Sequence, residues 1–176
     1  KNYKVSLVSE TQQNQQEYER ALYELRQQQQ DAASDISELE QRLKDTLDSV
    51  DQSLARGDVL LNWPVEPIKG LSTTFRDPTY PFRRMFEHSG IDVPIEVGTT
   101  VRAAAGGYVA CNKRGRLYGN YMMIVHPGNI ATVYAHLSKF IAKGDTFVER
   151  GDAIALSGGR AGDPGAGLST GPHLHF

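Results

Sequence analysis

The chain closes on two histidines set two residues apart, in Gly171-Pro172-His173-Leu174-His175-Phe176. In an extended strand that spacing turns both imidazoles to one face, where they can share a metal ion. Far upstream, His88-Ser89-Gly90-Ile91-Asp92 puts an imidazole four residues before a carboxylate, a harder and anionic oxygen donor. Hydrolytic zinc centres keep three protein ligands drawn from His, Asp or Glu and leave a fourth position for water. His88, Asp92 and one histidine of the final pair meet that requirement. The other histidine of the pair is left free, and Tyr134-Ala135-His136-Leu137 adds another. Amide hydrolysis also needs a proton acceptor. The His-Glu-x-x-His helix that supplies one in many zinc peptidases is absent, so an imidazole with a pKa near ~6.5 is the natural substitute. Two neutral imidazoles and one carboxylate leave a Zn²⁺ centre with a net charge of about plus one, still a Lewis acid.

Read in order, the segments from Trp63 onward resemble the LytM/lysostaphin-like zinc endopeptidases, murein hydrolases that cut peptidoglycan stems or cross-bridges. The segments are Trp63-Pro64-Val65, the His88-x-x-x-Asp92 element, the run Gly98-Thr99-Thr100-Val101-Arg102-Ala103-Ala104-Ala105-Gly106-Gly107-Tyr108-Val109, then Tyr134-Ala135-His136-Leu137-Ser138, and Ser169-Thr170-Gly171-Pro172-His173-Leu174-His175-Phe176. The resemblance implies that His88, Asp92 and His175 bind Zn²⁺ and that His136 and His173 act in catalysis. Base and acid are not separated between those two. Tyr80 and Arg84, just before His88, and Tyr134 are substrate-contact candidates, although a Tyr two residues before a strand His can equally pack on that face. Each histidine taken alone reads as a surface or satisfied core residue, and only the joint pattern makes a site. His126, before Pro127-Gly128, is expected to cap a turn or lie exposed.

The elements that must position these residues fall into two parts. Residues 1–56 hold the glutamines, lack Gly and Pro, and carry seven Lys or Arg against eleven Asp or Glu. The remainder carries twelve against ten, and neither balance suggests nucleic acid. A heptad with Val8, Gln15, Leu22, Gln29, Ile36, Leu43 and Val50 at a, and Thr11, Tyr18, Leu25, Ala32, Leu39 and Thr46 at d, predicts a long helix or coiled coil. Its seam, reinforced by Leu47 and Leu54, is strong from Leu22 to Leu54 and polar before that. A continuous helix of this length would span ~84 Å, so it must pair. It pairs either with itself, with a hairpin return near residues 30–35, or with a membrane-bound envelope partner, as the resemblance suggests. Residues 57–71 read as a linker broken by Pro64, Pro67 and Gly70.

Residues 72–176 are rich in Gly and short β-type runs, at 97–104, 108–111, 121–125, 131–136, 153–156 and from 174 onward, which predicts a compact, mainly antiparallel β domain. The expected fold class is therefore α+β, a helical arm followed by a β domain. Gly106-Gly107, Gly144-Asp145 and Gly151-Asp152 read as turns, and the Gly-rich stretch 158–167 as a flexible wall of a substrate groove. Cys111 is the only cysteine, so no internal disulfide forms. No signal peptide or membrane-spanning run is visible. The resemblance implies a domain continuing past Phe176 and, because peptidoglycan lies outside the cytoplasmic membrane, export to the periplasm or cell envelope with a removed signal, or membrane association through a partner or a missing N-terminal segment. Two other classes compete: a non-catalytic relative that activates a cell-wall amidase, against which the intact ligand set argues, and a lipoyl-like carrier, which leaves the histidines unexplained.

Overall fold

The structure, a computed structural model, describes residues 15–17, 19–20, 22–24, 26–27, 30, 60–84, 86–128 and 130–176. The chain divides into two units, Lys1–Ser34 and Asp35–Phe176. In the first, the described residues between 15 and 30 are helical and mostly exposed, and the Gln15 amide donates to Glu19 one turn on at 3.1 Å. A short helical stretch is thus what the structure shows of the expected coiled coil, and among the described residues no second helix pairs with it. The apolar seam between residues 31 and 54, the hairpin return and the helix end near Arg56-Gly57 lie outside the described residues. No helix among the described residues is long and apolar enough to cross a membrane.

The described residues of the second unit contain no α-helix, so the expected antiparallel β domain stands there alone. Its strands are β1 (Asp92–Pro94), β2 (Thr100–Arg102), β3 (Gly107–Gly115), β4 (Gly119–His126), β5 (Ile130–Phe140), β6 (Phe147–Val148), β7 (Ala153–Ser157) and β8 (His173–His175). Every pairing is antiparallel, in the order β1-β8-β5-β4-β3-β6, with β2 joined to β7 and β7 to β5. Six of these coincide with the expected β runs. β1 and β6 are three and two residues long, too short for a period of two to show in sequence. Asp145 and Gly151 take positive φ on either side of β6, as turn residues should.

Alternation along the strands builds one core. Val101, Val109, Met122, Ile124, Tyr134, Leu137, Ile154 and Leu174 are all fully buried and pack in a single cluster with Val65 and Val93. From Asn62 the stretch expected as a linker is bonded to the sheet: the Asn62 N–H donates to the Ala104 carbonyl at 2.8 Å, and the Arg102 N–H donates to that of Pro64 at 2.8 Å. These bonds satisfy backbone groups that a free linker would leave to water.

Candidate metal centre and active site

β1 and β8 run antiparallel in a register that sets Asp92 directly opposite His175. Leu174 goes to the core, so the pleat sends His173 and His175 to the other face, as their spacing predicts. His88 precedes β1 in an irregular segment held down by the Arg76 N–H, which donates to the His88 carbonyl at 2.9 Å. The three side chains converge. His88 Nε2 lies 3.1 Å from Asp92 Oδ1, His175 Nδ1 lies 2.9 Å from that oxygen, and the two ring nitrogens are 3.0 Å apart.

All three residues are buried. His88 Nδ1 donates to the Thr74 carbonyl at 2.8 Å, which leaves Nε2 as a lone pair facing a carboxylate oxygen and a second imidazole nitrogen. His88 Nε2 and Asp92 Oδ1 are both acceptors, and what holds them this close to His175 Nδ1 is either a proton on that nitrogen or a cation shared by all three. Edges of 2.9 to 3.1 Å suit atoms that each stand ~2.0–2.2 Å from a common zinc ion, and the carbonyl behind His88 is the usual partner of a ligating imidazole. The donor set therefore fits zinc. Burial by itself raises the Asp92 pKa, but the hydrogen bond from His175 and the neighbouring imidazoles outweigh it and hold the carboxyl below its usual range. Burial pushes the His175 imidazole down, against the pull of Asp92.

His136 arrives by a local irregularity. Asn120 pairs with Leu137 and Met122 with Tyr134, so Tyr121 alone faces both Ala135 and His136, a β-bulge with His136 at φ 58°. The bulge re-aims the chain: Tyr134 faces the core while His136, two residues on, faces the site. Its Nδ1 donates to the Ala166 carbonyl at 2.6 Å, leaving Nε2 unprotonated, and burial with His173 nearby lowers its pKa to about 3. His173 is set the same way, Nδ1 donating to the Gly171 carbonyl at 2.7 Å with Ser169 Oγ 3.2 Å away. The His136 and His173 rings lie 4.5 Å apart, and His173 Nε2 is 3.6 Å from Asp92 Oδ1. All five residues read from the motifs thus come together, the trio of possible metal ligands beside a pair of imidazoles whose Nδ1 atoms are bonded to carbonyls.

The substrate-contact candidates divide. Tyr80 leans on His88 with ring centroids 4.6 Å apart, and burial together with Asp92 raises its phenol pKa to about 12. Arg84 lies exposed in the turn that precedes His88. Tyr134 is not at the site: its ring is fully buried, and its hydroxyl accepts from the Ala104 N–H at 2.9 Å and lies 3.0 Å from Thr132 Oγ1. His126 is likewise buried rather than exposed, with Nδ1 donating to the Gly106 carbonyl and Nε2 2.8 Å from Thr132 Oγ1. The Gly-rich stretch expected as a flexible wall is anchored: the Asn120 and Leu168 N–H groups donate to Gly165 and Leu117 carbonyls, both at 2.8 Å, and Ala166 orients His136.

Sequence reasoning missed Tyr118. It sits in the β3–β4 turn, its carbonyl accepts the His136 N–H at 2.9 Å, and its ring lies 5.5 Å from that of His175. The Gly-x-x-Tyr-Gly turn pattern marks a hairpin there, yet nothing in it points 57 residues on to β8. A separate groove of about 570 Å³, bounded by Trp63, Glu66, Ile68, Lys69, Ile95 and Arg102, contains none of these residues.

The profile of peptidase family M23 matches residues 86–176, more than half of the chain and the whole span from just before His88 to the final histidines. The chain belongs to peptidase family M23. Its resemblance to LytM and lysostaphin is borne out with that membership. The chain is 36% identical over 117 residues to the peptidoglycan DD-endopeptidase ShyA of Vibrio cholerae, covering 65% of this chain and 26% of that protein. It is 42% identical over 89 residues to the DD-carboxypeptidase/endopeptidase Mpg of Neisseria meningitidis, covering 51% of this chain and 19% of the relative. The chain thus spans about a quarter or less of the length of these relatives. Among solved structures, a zinc-containing peptidase from Vibrio cholerae matches with a TM-score of 0.57 and 30% identity, over 67% of this chain and 36% of that one. LytU matches at 0.51 and 31%, over 60% and 70%.

Proposed function

We propose that the chain is a zinc-dependent endopeptidase that hydrolyses peptide bonds in bacterial peptidoglycan stems or cross-bridges. One observation carries the reading: three buried atoms able to ligate a metal converge within 3.1 Å beside two imidazoles whose Nδ1 protons are committed to backbone carbonyls. His88 Nε2, Asp92 Oδ1 and His175 Nδ1 would hold the metal, which supplies Lewis acidity for activating water and polarising the scissile carbonyl. His136 and His173 present Nε2 on the same face, so one of them takes the proton from the attacking water and that same proton is then handed to the leaving amine. The committed Nδ1 protons fix both tautomers before substrate arrives, which removes a reorganisation cost from the reaction. Two M23 relatives named as peptidoglycan DD-endopeptidases support the substrate class.

An enzyme of this substrate acts in the periplasm or on the cell surface, so the chain is an exported envelope protein. The helical segment, with its heptad continuing past the described residues, serves as an arm that pairs with a second copy or with a membrane-bound envelope partner and regulates access to the domain. The intact ligand set speaks against a purely amidase-activating role, because such a role needs no buried metal trio. The test is elemental analysis of the purified chain beside His88→Ala/His175→Ala, followed by digestion of purified peptidoglycan. About one zinc per chain, lost together with cleavage in the double variant, is expected. A wild-type chain that takes up no zinc after reconstitution would overturn the reading.

A further inference from the structure

Tyr118 enters the site from the β3–β4 turn, and that turn is fixed from behind. The Leu117 carbonyl accepts the Leu168 N–H at 2.8 Å, the Tyr118 carbonyl accepts the His136 N–H at 2.9 Å, and Gly119 packs on the backbone of residues 165–167. The side chain is fixed from the sides: its ring lies 5.5 Å from His175 and 5.7 Å from Tyr121. Its tip reaches the other wall of the site, where the Tyr118 hydroxyl lies 3.0 Å from the exposed hydroxyl of Ser89, the neighbour of His88. Tyr118 also contributes, after burial and Asp92, to the field on the Tyr80 phenol, so two tyrosines flank the ligand trio, one beside His88 and one beside His175.

Proton accounting gives the hydroxyl pair a role. Two hydroxyls carry two protons, and the bond between them uses one. Whichever group donates, the second proton has no acceptor among the described residues, and it is carried at the solvent-facing edge of the site. A hydroxyl pair that is bonded internally and aimed outward is a preorganised donor for an acceptor on the substrate, and its aromatic member offers a flat wall for an extended peptide. We propose that Tyr118, oriented by Ser89, is a substrate-positioning residue that donates a hydrogen bond to a carbonyl oxygen of the peptidoglycan stem peptide on the His175 side of the scissile bond. This assignment rests on the endopeptidase reading of the site. It asks nothing of Tyr118 in proton transfer or metal binding, which the five motif residues supply.

The experiment compares the zinc-loaded wild-type chain with Tyr118→Phe, Ser89→Ala and the double variant. Binding of an uncleaved stem tetrapeptide is read by calorimetry, and cleavage of a cross-linked muropeptide dimer by chromatography. Tyr118→Phe keeps the ring and loses the bond, so the tetrapeptide Kd and the dimer KM both rise about threefold to tenfold, with a smaller change in kcat. Zinc content and melting temperature stay at wild-type values, which a merely structural tyrosine would not allow. Because the two hydroxyls form one device, the double variant is no weaker than Tyr118→Phe by more than about twofold. An unchanged Kd in Tyr118→Phe, a rise accompanied by zinc loss, or effects of the two substitutions that multiply would each overturn the proposal. A wild-type chain that binds the tetrapeptide but leaves the dimer uncut sinks the endopeptidase reading instead, and the Kd comparison still decides the role of Tyr118.

Discussion

Replacing Gly119 by alanine tests how far catalysis depends on backbone packing behind His136. Gly119 has φ 60°, and a Cβ built there falls 2.6 Å from both the Ala166 carbonyl carbon and the Gly167 nitrogen, and closer still to the Gly165 oxygen. These are backbone atoms, so no flexible side chain can swing aside. Left-handed backbone costs an alanine about 1–2 kcal/mol, and overpacking a close-packed contact costs about 1–3 more, for a total of roughly 2–5 kcal/mol. At about 4 °C per kcal/mol for a domain near a hundred residues, the midpoint falls by at least about 8 °C. Restoring van der Waals contact moves residues 165–167 back by about 0.8 Å or more. That shift carries away the Ala166 carbonyl holding His136 Nδ1 at 2.6 Å, and misplacement on the order of 1 Å costs about a hundredfold in rate. The assay is thermal unfolding of zinc-loaded protein, then kcat/KM on a muropeptide dimer well below the variant's midpoint. Gly144→Ala is the control, since a Cβ there meets nothing within 4 Å and both quantities should hold. A Gly119→Ala protein with wild-type melting and wild-type kcat/KM would refute the claim that this contact sets His136.

Two further outcomes follow from the buried polar groups behind the site. Tyr134→Phe leaves the buried Ala104 N–H without its acceptor and should destabilise the domain by about 1–3 kcal/mol, with cleavage of peptidoglycan unchanged below the melting range. A large loss of kcat/KM without loss of stability would return Tyr134 to the substrate. Burial lowers the His126 pKa below its ordinary 6.5, so the unfolded chain binds the extra proton first as pH falls. The stability that His126 contributes is complete above pH ~6.5 and is lost as pH drops below it towards the folded-state value. Metal-free wild-type protein should therefore lose more stability between pH 7.5 and 5.5 than His126→Gln does, as measured by urea unfolding. Equal losses would show that the folded protein accommodates the charged ring.

What could be read before folding was local chemistry with a short period. The shared face of His173 and His175 was legible because a strand alternates every two residues, which sends Leu174 between them to the core. His88-x-x-x-Asp92 read as a donor pair because both ends carry ligand atoms and their separation is small. The order of the motifs gave the family, and clustered glycines with β-branched runs gave an antiparallel β domain. Tyr134, left open between substrate contact and packing, shows the opposite case. Alternation would put it on the face of His136, and one extra residue opposite Tyr121 cancels that alternation without leaving any mark in residue type. His126, before a Pro-Gly turn, looked exposed because turn chemistry is local, whereas its burial depends on Gly106 and Thr132 from neighbouring strands.

By itself, the sequence determined which atoms could ligate, which imidazoles could carry protons, where the β domain lies and which family it belongs to, because side-chain chemistry and strand period are properties of neighbours in the chain. Only the tertiary structure decided that Asp92 stands across from His175, that Thr74, Ala166 and Gly171 choose the imidazole tautomers, and that Tyr118 reaches the site. The three tautomer contacts are made by backbone carbonyls, which every residue possesses, so no residue type can announce them. The pairing of β1 with β8 joins residues 83 apart, and a register of that kind exists only once the intervening strands have packed on one core.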